Sequence, residues 1–299
     1  YAVARCPRST EDTFPCECQT NGGIDSLNCV LIKDAETLER IFRRSFNTHF
    51  TLFMLMKSRM KFIPSKYLKP RAVERIVITD SELNILFDKA PDASNIIEDI
   101  LMTNVSFQGV FPWHQFKTLH KLYMVSLTLV DLPVLGTAFK RSVSKNVKLV
   151  MLSSTNTKEV DDEIFSEYRQ LKDIRIGHGQ LKILKRNYFP RPANIELFYF
   201  NGNQIRTLPY DLFEDMPKLR SVNLSGNKIS TISEAVFSPV KKRLSVLFLE
   251  KNPIDCGCSF KWILSLPEKI VMYGNCVSPE DLEAKRIRDL TKKDFEYCN

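Results

Sequence analysis

The stretch from Ile195 to Pro209 reads IELFYFNGNQIRTLP, and its spacing recurs 24 residues later in LRSVNLSGNKISTI, from Leu219 to Ile232. In both copies, two apolar residues separated by one residue are followed by an asparagine and then by further apolar residues. Apolar side chains at alternate positions point to one face of a strand, so each copy predicts a short strand with one buried face. A fixed period of this length indicates stacked repeats that cover each other's apolar edges.

The same template continues on both sides of this stretch and gives nine repeats from Phe50 to Ile254. One copy follows at Leu244, and two copies precede in phase at Leu171 and Val147. The degenerate upstream copies are Leu119-Leu122-Met124-Leu129-Leu132, Ile97-Ile100-Met102-Phe107-Val110, Val73-Ile76-Ile78-Leu83-Leu86 and Phe50-Phe53-Leu55-Met60-Ile63. The interval between the fourth and the fifth repeat is longer than the other intervals, and it predicts a protruding loop over residues 136–146. We therefore predict an α/β solenoid shaped like a horseshoe, with a parallel, concave β-sheet.

Phenylalanine recurs in phase with this template, on the return segment that follows each strand. The spacing of 24 residues predicts a stacked column of rings inside the core, which we call the Phe spine. Its members are Phe165, Phe189, Phe213 and Phe237.

The eight cysteines lie in two groups near the chain ends. They are Cys6, Cys16, Cys18 and Cys29 in the first group, and Cys256, Cys258, Cys276 and Cys298 in the second. Each group contains a Cys-x-Cys, whose members are poorly placed to bridge each other, so we expect two disulfides within each group. The predicted organisation is an N-terminal cap over residues 1–49, the repeat array over 50–251 and a C-terminal cap over 252–299. Two four-thiolate zinc sites are the alternative, but structural zinc sites favour pairs separated by more residues.

Composition and motifs favour a secreted glycoprotein. The 299 residues are 43% hydrophobic and 26% charged, which excludes collagen-like and low-complexity classes. No apolar run approaches the roughly 18 residues of a membrane-spanning helix. The chain begins at Tyr1, and we expect that a signal peptide has been removed. Disulfides, together with glycosylation sequons at Asn104 and Asn223, favour an oxidising, extracellular compartment.

Both caps resemble flanking modules of extracellular leucine-rich-repeat proteins. The pattern Asn252-Pro253-x-x-Cys256-x-Cys258-x-x-x-Trp262, followed by two further cysteines, is similar to their C-terminal cap. The run from Cys6 to Cys18 is similar to that of arthropod secreted proteins related to the non-catalytic leucine-rich-repeat subunit of Oplophorus-type luciferase. That resemblance spans the whole chain and implies an accessory role, because the light-producing site of that complex belongs to the other subunit.

The resemblance also implies specific contacts. It implies the disulfide pairs Cys6–Cys18, Cys16–Cys29, Cys256–Cys276 and Cys258–Cys298. In the consensus family an asparagine column bonds the backbone of neighbouring turns, and only Asn203, Asn227 and Asn252 keep it here. The equivalent upstream positions are Ser58, Ser81, Val105, Leu127, Thr155 and Gly179.

Residue patterns for catalysis are weak. Ser142 and Lys145 match Ser-x-x-Lys, but they fall in the predicted loop without the partner motifs of known enzymes. The four histidines lie in different repeats and lack the pairing typical of metal ligands. We therefore expect no catalytic residues, no metal, no cofactor and no enzymatic activity.

The residue between the two inward positions of each strand points outward, and this column is mostly apolar or aromatic. It reads Met54, Val77, Leu101, Tyr123, Met151, Arg175, Tyr199, Asn223 and Phe248. Tyrosine, methionine, phenylalanine and arginine are enriched in interface cores. The predicted partner-binding residues are accordingly Tyr123, Met151, Arg175, Tyr199 and Phe248. The alternative is that strand propensity alone explains the aromatic residues.

A second surface is basic. The net charge is +8, and residues 33–75 carry eleven Lys or Arg against four Asp or Glu. This basic shoulder includes Arg40, Arg43, Arg44, Lys57, Arg59, Lys61, Lys66 and Lys69. It favours an acidic glycan, an anionic membrane or an acidic partner, with an unspecific soluble surface as the alternative.

These observations lead to one functional prediction and one rival. We predict a non-catalytic extracellular scaffold that holds a protein partner on its concave face, as an accessory to a secreted enzyme of the luciferase type. The rival is a stand-alone recognition or immune module that binds glycan or matrix through the basic shoulder. Nucleic acid is not expected as a partner outside the cell.

Overall fold

A computed structural model describes residues 6–7, 9–45, 47–69 and 72–298. The chain divides into two compact units. The first contains the described residues up to Leu132 together with Gly136–Leu149, and the second contains Pro133–Leu135 and the described residues from Val150 onward. No helix in the described ranges combines the length and the apolar character that crossing a bilayer requires.

The first unit is built on a mostly parallel sheet. Its strands are β1 (Glu17–Asn21), β2 (Ile24–Val30), β3 (Phe50–Met56), β4 (Arg59–Met60), β5 (Val73–Leu83), β6 (Asp99–Phe107) and β7 (Met124–Thr128). Its helices are α1 (Ala35–Arg44) and α2 (Thr137–Ser142), with 3₁₀ turns at Thr10–Asp12, Ser65–Tyr67 and Trp113–Phe116. The strand order is β1-β2-β3-β5-β6-β7, with β4 on β5. Only the β1–β2 pair is antiparallel among these described strand pairs.

The N-terminal disulfides surround the hairpin that begins this sheet. Strands β1 and β2 are joined by Gly22 and Gly23, both with positive φ, as a two-residue hairpin turn requires. Disulfides join Cys6 to Cys18 and Cys16 to Cys29, the pairs that the family resemblance implies. Strand β2 also pairs in parallel with β3, so the sheet begins inside the segment predicted as the cap.

Strands β3, β5 and β6 carry the predicted inward pairs. These side chains are almost completely buried: Phe53, Leu55, Ile76, Ile78, Ile100 and Met102. Burying a side chain of this size stabilises the fold by about 1.5–3 kcal/mol relative to an exposed one. The alternation predicted from the sequence is confirmed in these strands.

Two upstream assignments of the template were wrong. In β7 the inward pair is Val125 and Leu127, both fully buried, whereas Leu129 is 56% exposed. The template fits this segment in two registers because Leu122 and Met124 are also an apolar pair, and pairing of Leu101 with Ser126 selects the later one. After β6, Val110 is 91% exposed, because the strand continues past the inward pair to Phe107 and Val110 lies in the bend that follows it.

The segment predicted as a protruding loop is instead a packed helix. Helix α2 begins after Gly136 and buries Phe139 completely. The ring of Phe139 lies edge-to-face on Trp113, with centroids 4.9 Å apart. Phe139 therefore anchors the segment to the core through a contact between residues far apart in sequence.

The second unit repeats the same plan with a more regular period. Its strands are β8 (Val134–Leu135), β9 (Leu149–Ser153, which begins in the first unit), β10 (Glu159–Val160), β11 (Asp173–Gly177), β12 (Leu197–Tyr199), β13 (Ser221–Asn223), β14 (Val246–Phe248), β15 (Ile254–Asp255), β16 (Val271–Tyr273) and β17 (Cys276–Ser278). Its α-helix is α3 (Glu234–Phe237), and 3₁₀ helices lie at Arg186–Tyr188, Cys258–Ser265, Glu280–Leu282, Ile287–Asp289 and Lys292–Phe295. The main strand order is β9-β11-β12-β13-β14-β16. Strands β8 and β10 pair separately, as do β15 and β17.

The asparagine column forms the expected ladder of side-chain hydrogen bonds. Asn227 accepts from the backbone N–H of Ile205 at 3.1 Å and donates to the carbonyls of Phe200 at 2.9 Å and Leu224 at 2.8 Å. Asn203 and Asn252 make the same set one repeat away on either side. A buried amide that bonds three backbone groups removes the cost of leaving them unpaired.

Serine takes this role in the first unit. The hydroxyl of Ser58 accepts from the N–H of Ile32 at 2.9 Å and donates to the carbonyl of Met56 at 2.8 Å. Ser81 repeats the pattern with Ser58 and Thr79. Serine is shorter than asparagine and bonds fewer backbone groups, so this ladder is weaker.

The Phe spine is confirmed in the second unit. Phe165 stacks on Phe189 at 5.7 Å, and Phe213 contacts Phe237 at 5.3 Å. Phe198, from β12, links the two pairs by edge-to-face contacts. All of these rings are at least 97% buried.

The C-terminal disulfides hold a 3₁₀ helix against the last repeat. Disulfides join Cys256 to Cys276 and Cys258 to Cys298, again as the resemblance implies. Trp262 stacks on Phe237, at the end of the Phe spine, and donates its indole N–H to the carbonyl of Ile232 at 2.9 Å. All eight cysteines lie in the described ranges and are paired in these four disulfides, which leaves none of them for the zinc alternative.

Candidate functional site

Five outward side chains lie in one line across the sheet of the second unit. Strand pairing places Arg175 beside Tyr199, Tyr199 beside Asn223, Asn223 beside Phe248, and Phe248 beside Tyr273. They point outward because their neighbours in each strand, such as Phe198 and Leu247, are buried. We call these five residues the Arg–aromatic column.

The guanidinium of Arg175 is held from two sides. It makes a bidentate ion pair with Asp173, with nitrogen–oxygen distances of 2.8 and 2.7 Å. Its carbon lies 5.0 Å from the centroid of the Tyr199 ring, in cation–π geometry. The hydrogen bond to Asp173 raises the pKa of Arg175 above its ordinary value. The side chain therefore keeps its positive charge in a fixed orientation, and the adjacent Asp173 carboxylate balances that charge.

The aromatic members are also fixed in place. The hydroxyl of Tyr199 lies 3.0 Å from that of Ser221. The rings of Phe248 and Tyr273 are stacked, with centroids 4.9 Å apart and planes 5° apart. Tyr273 remains 40% exposed. Because these rings are already ordered, a partner would lose little side-chain entropy by binding them.

Tyr273 was missed by sequence reasoning. It lies in β16, between the cysteines of the C-terminal cap, where the repeat template stops. Its position 25 residues after Phe248, at the end of the short apolar run Val271–Tyr273, is the signal that could have found it.

The predicted partner-binding residues separate into two sets. Arg175, Tyr199 and Phe248 lie in the column, and half-buried Met151 lies at the centre of β9, which neighbours β11. Tyr123 does not occupy the predicted position. It immediately precedes β7 in the first unit, where Ser126 fills the outward place beside Leu101. Its ring is 41% exposed and lies 5.1 Å from the ammonium of Lys148.

The two sequons differ in their surroundings. Asn104 is exposed in the first unit and donates from its amide to Asp80 at 2.7 Å. Asn223 stands within the column, and its side-chain oxygen accepts from the N–H of Ser225 at 3.0 Å. A glycan on Asn223 would cover Tyr199 and Phe248, so that glycan and a partner spanning the column would exclude each other. Glycosylation at both positions stays a prediction.

The described residues offer no metal centre, since no three His, Cys, Asp or Glu side chains among them are grouped to hold an ion. Two histidines have polar partners: His49 contacts Glu74 at 3.1 Å, and His178 contacts Asn201 at 3.1 Å. Ser142, of the Ser-x-x-Lys match, is buried at the end of α2.

A buried carboxylate lies on the outward face of the first unit. Asp99, at the start of β6, pairs with the Arg75 guanidinium at 2.9 Å, but its other oxygen is buried without a hydrogen-bond partner. Burial raises the pKa of Asp99, Arg75 opposes this, and the charges of Glu98 and Glu74 add to it. Its charged form is therefore less stable here than in water.

This pKa predicts how an Asp99→Asn variant responds to pH. The folded state binds the proton of Asp99 more tightly than the unfolded state, so Asp99 destabilises the fold as pH rises from the ordinary carboxyl pKa through the raised one. The asparagine variant lacks this titration and should gain stability relative to wild type across that window. Urea unfolding of both proteins at several pH values from about 4 to 7 measures the difference. A difference that does not change with pH would contradict the assignment.

The repeated strands, the asparagine ladder and the two disulfide caps define a leucine-rich-repeat solenoid. Residues 193–254 match the family model described as leucine rich repeat. Among solved structures, a chain of the octameric complex of Latrophilin 3, Unc5D and FLRT2, in which FLRT2 is the component marked LRR, has a TM-score of 0.60 at 15% identity. That match covers 92% of this chain and 97% of the other, and it supports the fold alone.

Two named proteins are similar to this chain in sequence. The chain is 22% identical to the non-catalytic subunit of Oplophorus-luciferin 2-monooxygenase from Oplophorus gracilirostris, over 97% of this chain and 86% of that subunit. It is also 25% identical to mouse Toll-like receptor 9. That match covers 64% of this chain and 19% of the receptor. Similarity to a non-catalytic subunit over almost the whole chain agrees with the expectation that the protein is not an enzyme.

Proposed function

We propose that this protein is a secreted, non-catalytic accessory subunit that holds a protein partner on the Arg–aromatic column. The observation that carries the proposal is the registered line of Arg175, Tyr199, Phe248 and Tyr273 across neighbouring strands. Tyrosine and arginine are the types that most often dominate binding energy, and here they are pre-ordered. Similarity to a non-catalytic subunit supports a secreted enzyme, of the luciferase type, as the partner.

The local charges indicate the kind of protein surface that fits. Arg175 is neutralised by Asp173, and Lys172 is paired with Glu196 at 3.2 Å beside it. The column therefore presents aromatic area with little uncompensated charge. A partner with an apolar, aromatic-rich patch fits this surface, and its affinity should depend weakly on salt.

The first test is the native mass of the protein in its source fluid, before any denaturing or high-salt step. A second polypeptide in the same peak, in addition to the 34.6 kDa chain, would identify a partner. A monomer carrying only glycans would contradict the accessory role.

The second test is a prediction about that partner. The double variant Tyr199→Ala, Phe248→Ala should bind it at least about thirtyfold more weakly, the equivalent of roughly 2 kcal/mol, because two central aromatic contacts are removed. Tyr210→Ala is the matched control, since Tyr210 is 72% exposed and lies outside the strands. Affinities measured by surface plasmon resonance, with unfolding midpoints compared first, decide the matter. Equal affinity of the double variant and the control would reject the column as the binding site.

The second candidate function is recognition of an acidic glycan or matrix by the basic shoulder. Several shoulder cations already have protein partners: Arg40 donates to the carbonyl of Phe14, Arg44 to that of Glu11, and Arg59 pairs with Glu82. The remaining cations leave a smaller site than the sequence suggests. A salt titration separates the two functions, because binding to the shoulder should weaken steeply with ionic strength and binding to the column should not.

A further inference from the structure

A cavity in the first unit lies apart from the Arg–aromatic column. It has a volume of about 430 Å³, which falls within the roughly 300–1,000 Å³ typical of small-molecule sites. It opens between the end of α1, the start of β3, the 3₁₀ turn Ser65–Tyr67 and Ala72.

The inner wall of this cavity is mostly apolar. Phe42, from α1, and Phe50, from β3, form its floor, and both are anchored in the core. The half-buried Tyr67 and Ala72 also line it, together with the buried polar residues Ser45 and Thr48. An apolar body inside the cavity would be removed from water.

The rim is cationic. Arg43, Lys66 and Lys69 line the cavity, and all three are exposed. Within the described ranges, none of the salt bridges involves these three side chains, and the charge of Lys69 acts on the carboxylate of Asp92. The ammonium of Lys66 lies 5.6 Å from the ring centroid of Tyr67, which places a positive charge beside the apolar wall.

We propose that this cavity binds a medium-chain carboxylate, with its hydrocarbon chain on the Phe42 and Phe50 floor and its carboxylate at the cationic rim. A polyanionic glycan would satisfy the cations but leave the apolar floor unused. A neutral lipid would use the floor but leave the cations without a counter-charge. An anion with one hydrocarbon chain matches both features, and the proposal is independent of what binds the column.

The probe is sodium decanoate below its micelle concentration, titrated into the intact protein by calorimetry. Butyrate tests the contribution of the chain, and decanol tests that of the charge. Decanoate should bind more tightly than either. From butyrate upward, each added methylene should tighten binding by up to about fourfold, which is the equivalent of about 0.8 kcal/mol per buried methylene.

Variants locate the site. The double variant Arg43→Gln, Lys66→Gln should weaken decanoate binding at least tenfold while leaving decanol binding unchanged. Ala72→Trp, which fills the cavity and keeps every charge, should abolish binding of both. The matched control is Lys57→Gln, Lys61→Gln, which removes two cations of the basic shoulder that do not line the cavity.

Two results would overturn the proposal. They are no saturable decanoate binding by wild type, or equal weakening of decanoate binding by the Arg43→Gln, Lys66→Gln variant and by the control. Where decanoate fails to bind, binding of a heparin fragment by wild type would assign the cations to a polyanion. Near-wild-type unfolding midpoints of the glutamine variants make these outcomes decisive even where Ala72→Trp folds poorly.

Discussion

Phe213→Ala is expected to lower the free energy of unfolding by about 3–5 kcal/mol, because it removes a completely buried ring from a close-packed column. Phe213 contacts Phe237 at 5.3 Å on one side and Phe198 at 5.3 Å on the other. Phe237 in turn stacks on Trp262 of the C-terminal cap. The space left by the missing Phe213 ring would therefore interrupt the contact between the repeats and the cap.

Urea unfolding followed by circular dichroism measures this loss as a shift of the midpoint at a similar slope. Phe213→Leu, which keeps most of the buried volume, should cost less than the alanine variant. Tyr210→Ala is the control in the same repeat, because its ring is exposed, and it should change stability by less than about 0.5 kcal/mol. If Phe213→Ala unfolds at the wild-type midpoint, the Phe spine does not stabilise the unit as described.

Asn227→Ala is expected to cost about 2–4 kcal/mol, which is the second largest effect. The variant leaves the N–H of Ile205 without its acceptor and removes one donor from the carbonyls of Phe200 and Leu224. Those carbonyls keep their bonds from Asn203 and Asn252. The unpaired N–H costs about 1–3 kcal/mol, each lost bond to a carbonyl costs about 0.5–1.5 kcal/mol, and water entering the gap recovers part of the total. The alanine variant also leaves a gap, since a methyl group occupies little of the amide's place, so hydrogen bonding and lost volume both contribute.

Asn227→Asp separates hydrogen bonding from volume. The carboxylate keeps the shape and still accepts from Ile205, but it directs negative charge at two carbonyl oxygens that need donors. This variant should be at least as unstable as the alanine variant at neutral pH. Asn201→Ala is the control, because the Asn201 amide contacts the ring of His178 and not the ladder. Wild-type stability of Asn227→Asp would show that the ladder contributes little.

The most regular features could be predicted because they recur. Ile174 and Ile176, Val222 and Leu224 and their counterparts obey one template, so an error at one position is corrected by the others. The Phe spine and the asparagine column are in phase with that template, which makes three periodic signals agree. The outward column followed directly wherever the strand register was correct.

Prediction failed where the template had two solutions or no copy. Between Leu119 and Leu132, apolar pairs at Leu122 and Met124 and at Val125 and Leu127 fit equally well. Helix α2 and Tyr273 lie in segments that the repeat does not describe. In α2 no local pattern distinguishes an inward from an outward residue, and for Tyr273 the signal is its spacing of 25 residues from Phe248.

The sequence alone determined the repeat period, the buried faces of the regular strands and the presence of cysteine caps, because each of these features occurs more than once in the chain. Only the tertiary structure decided which apolar pair of the degenerate repeat is buried, since pairing with β6 places Ser126, and not Tyr123, beside Leu101. It also decided that Asp173 neutralises Arg175 and that Tyr273 completes the column. Such contacts depend on distances between side chains of one strand or of neighbouring strands, and a linear pattern of residue types does not contain those distances.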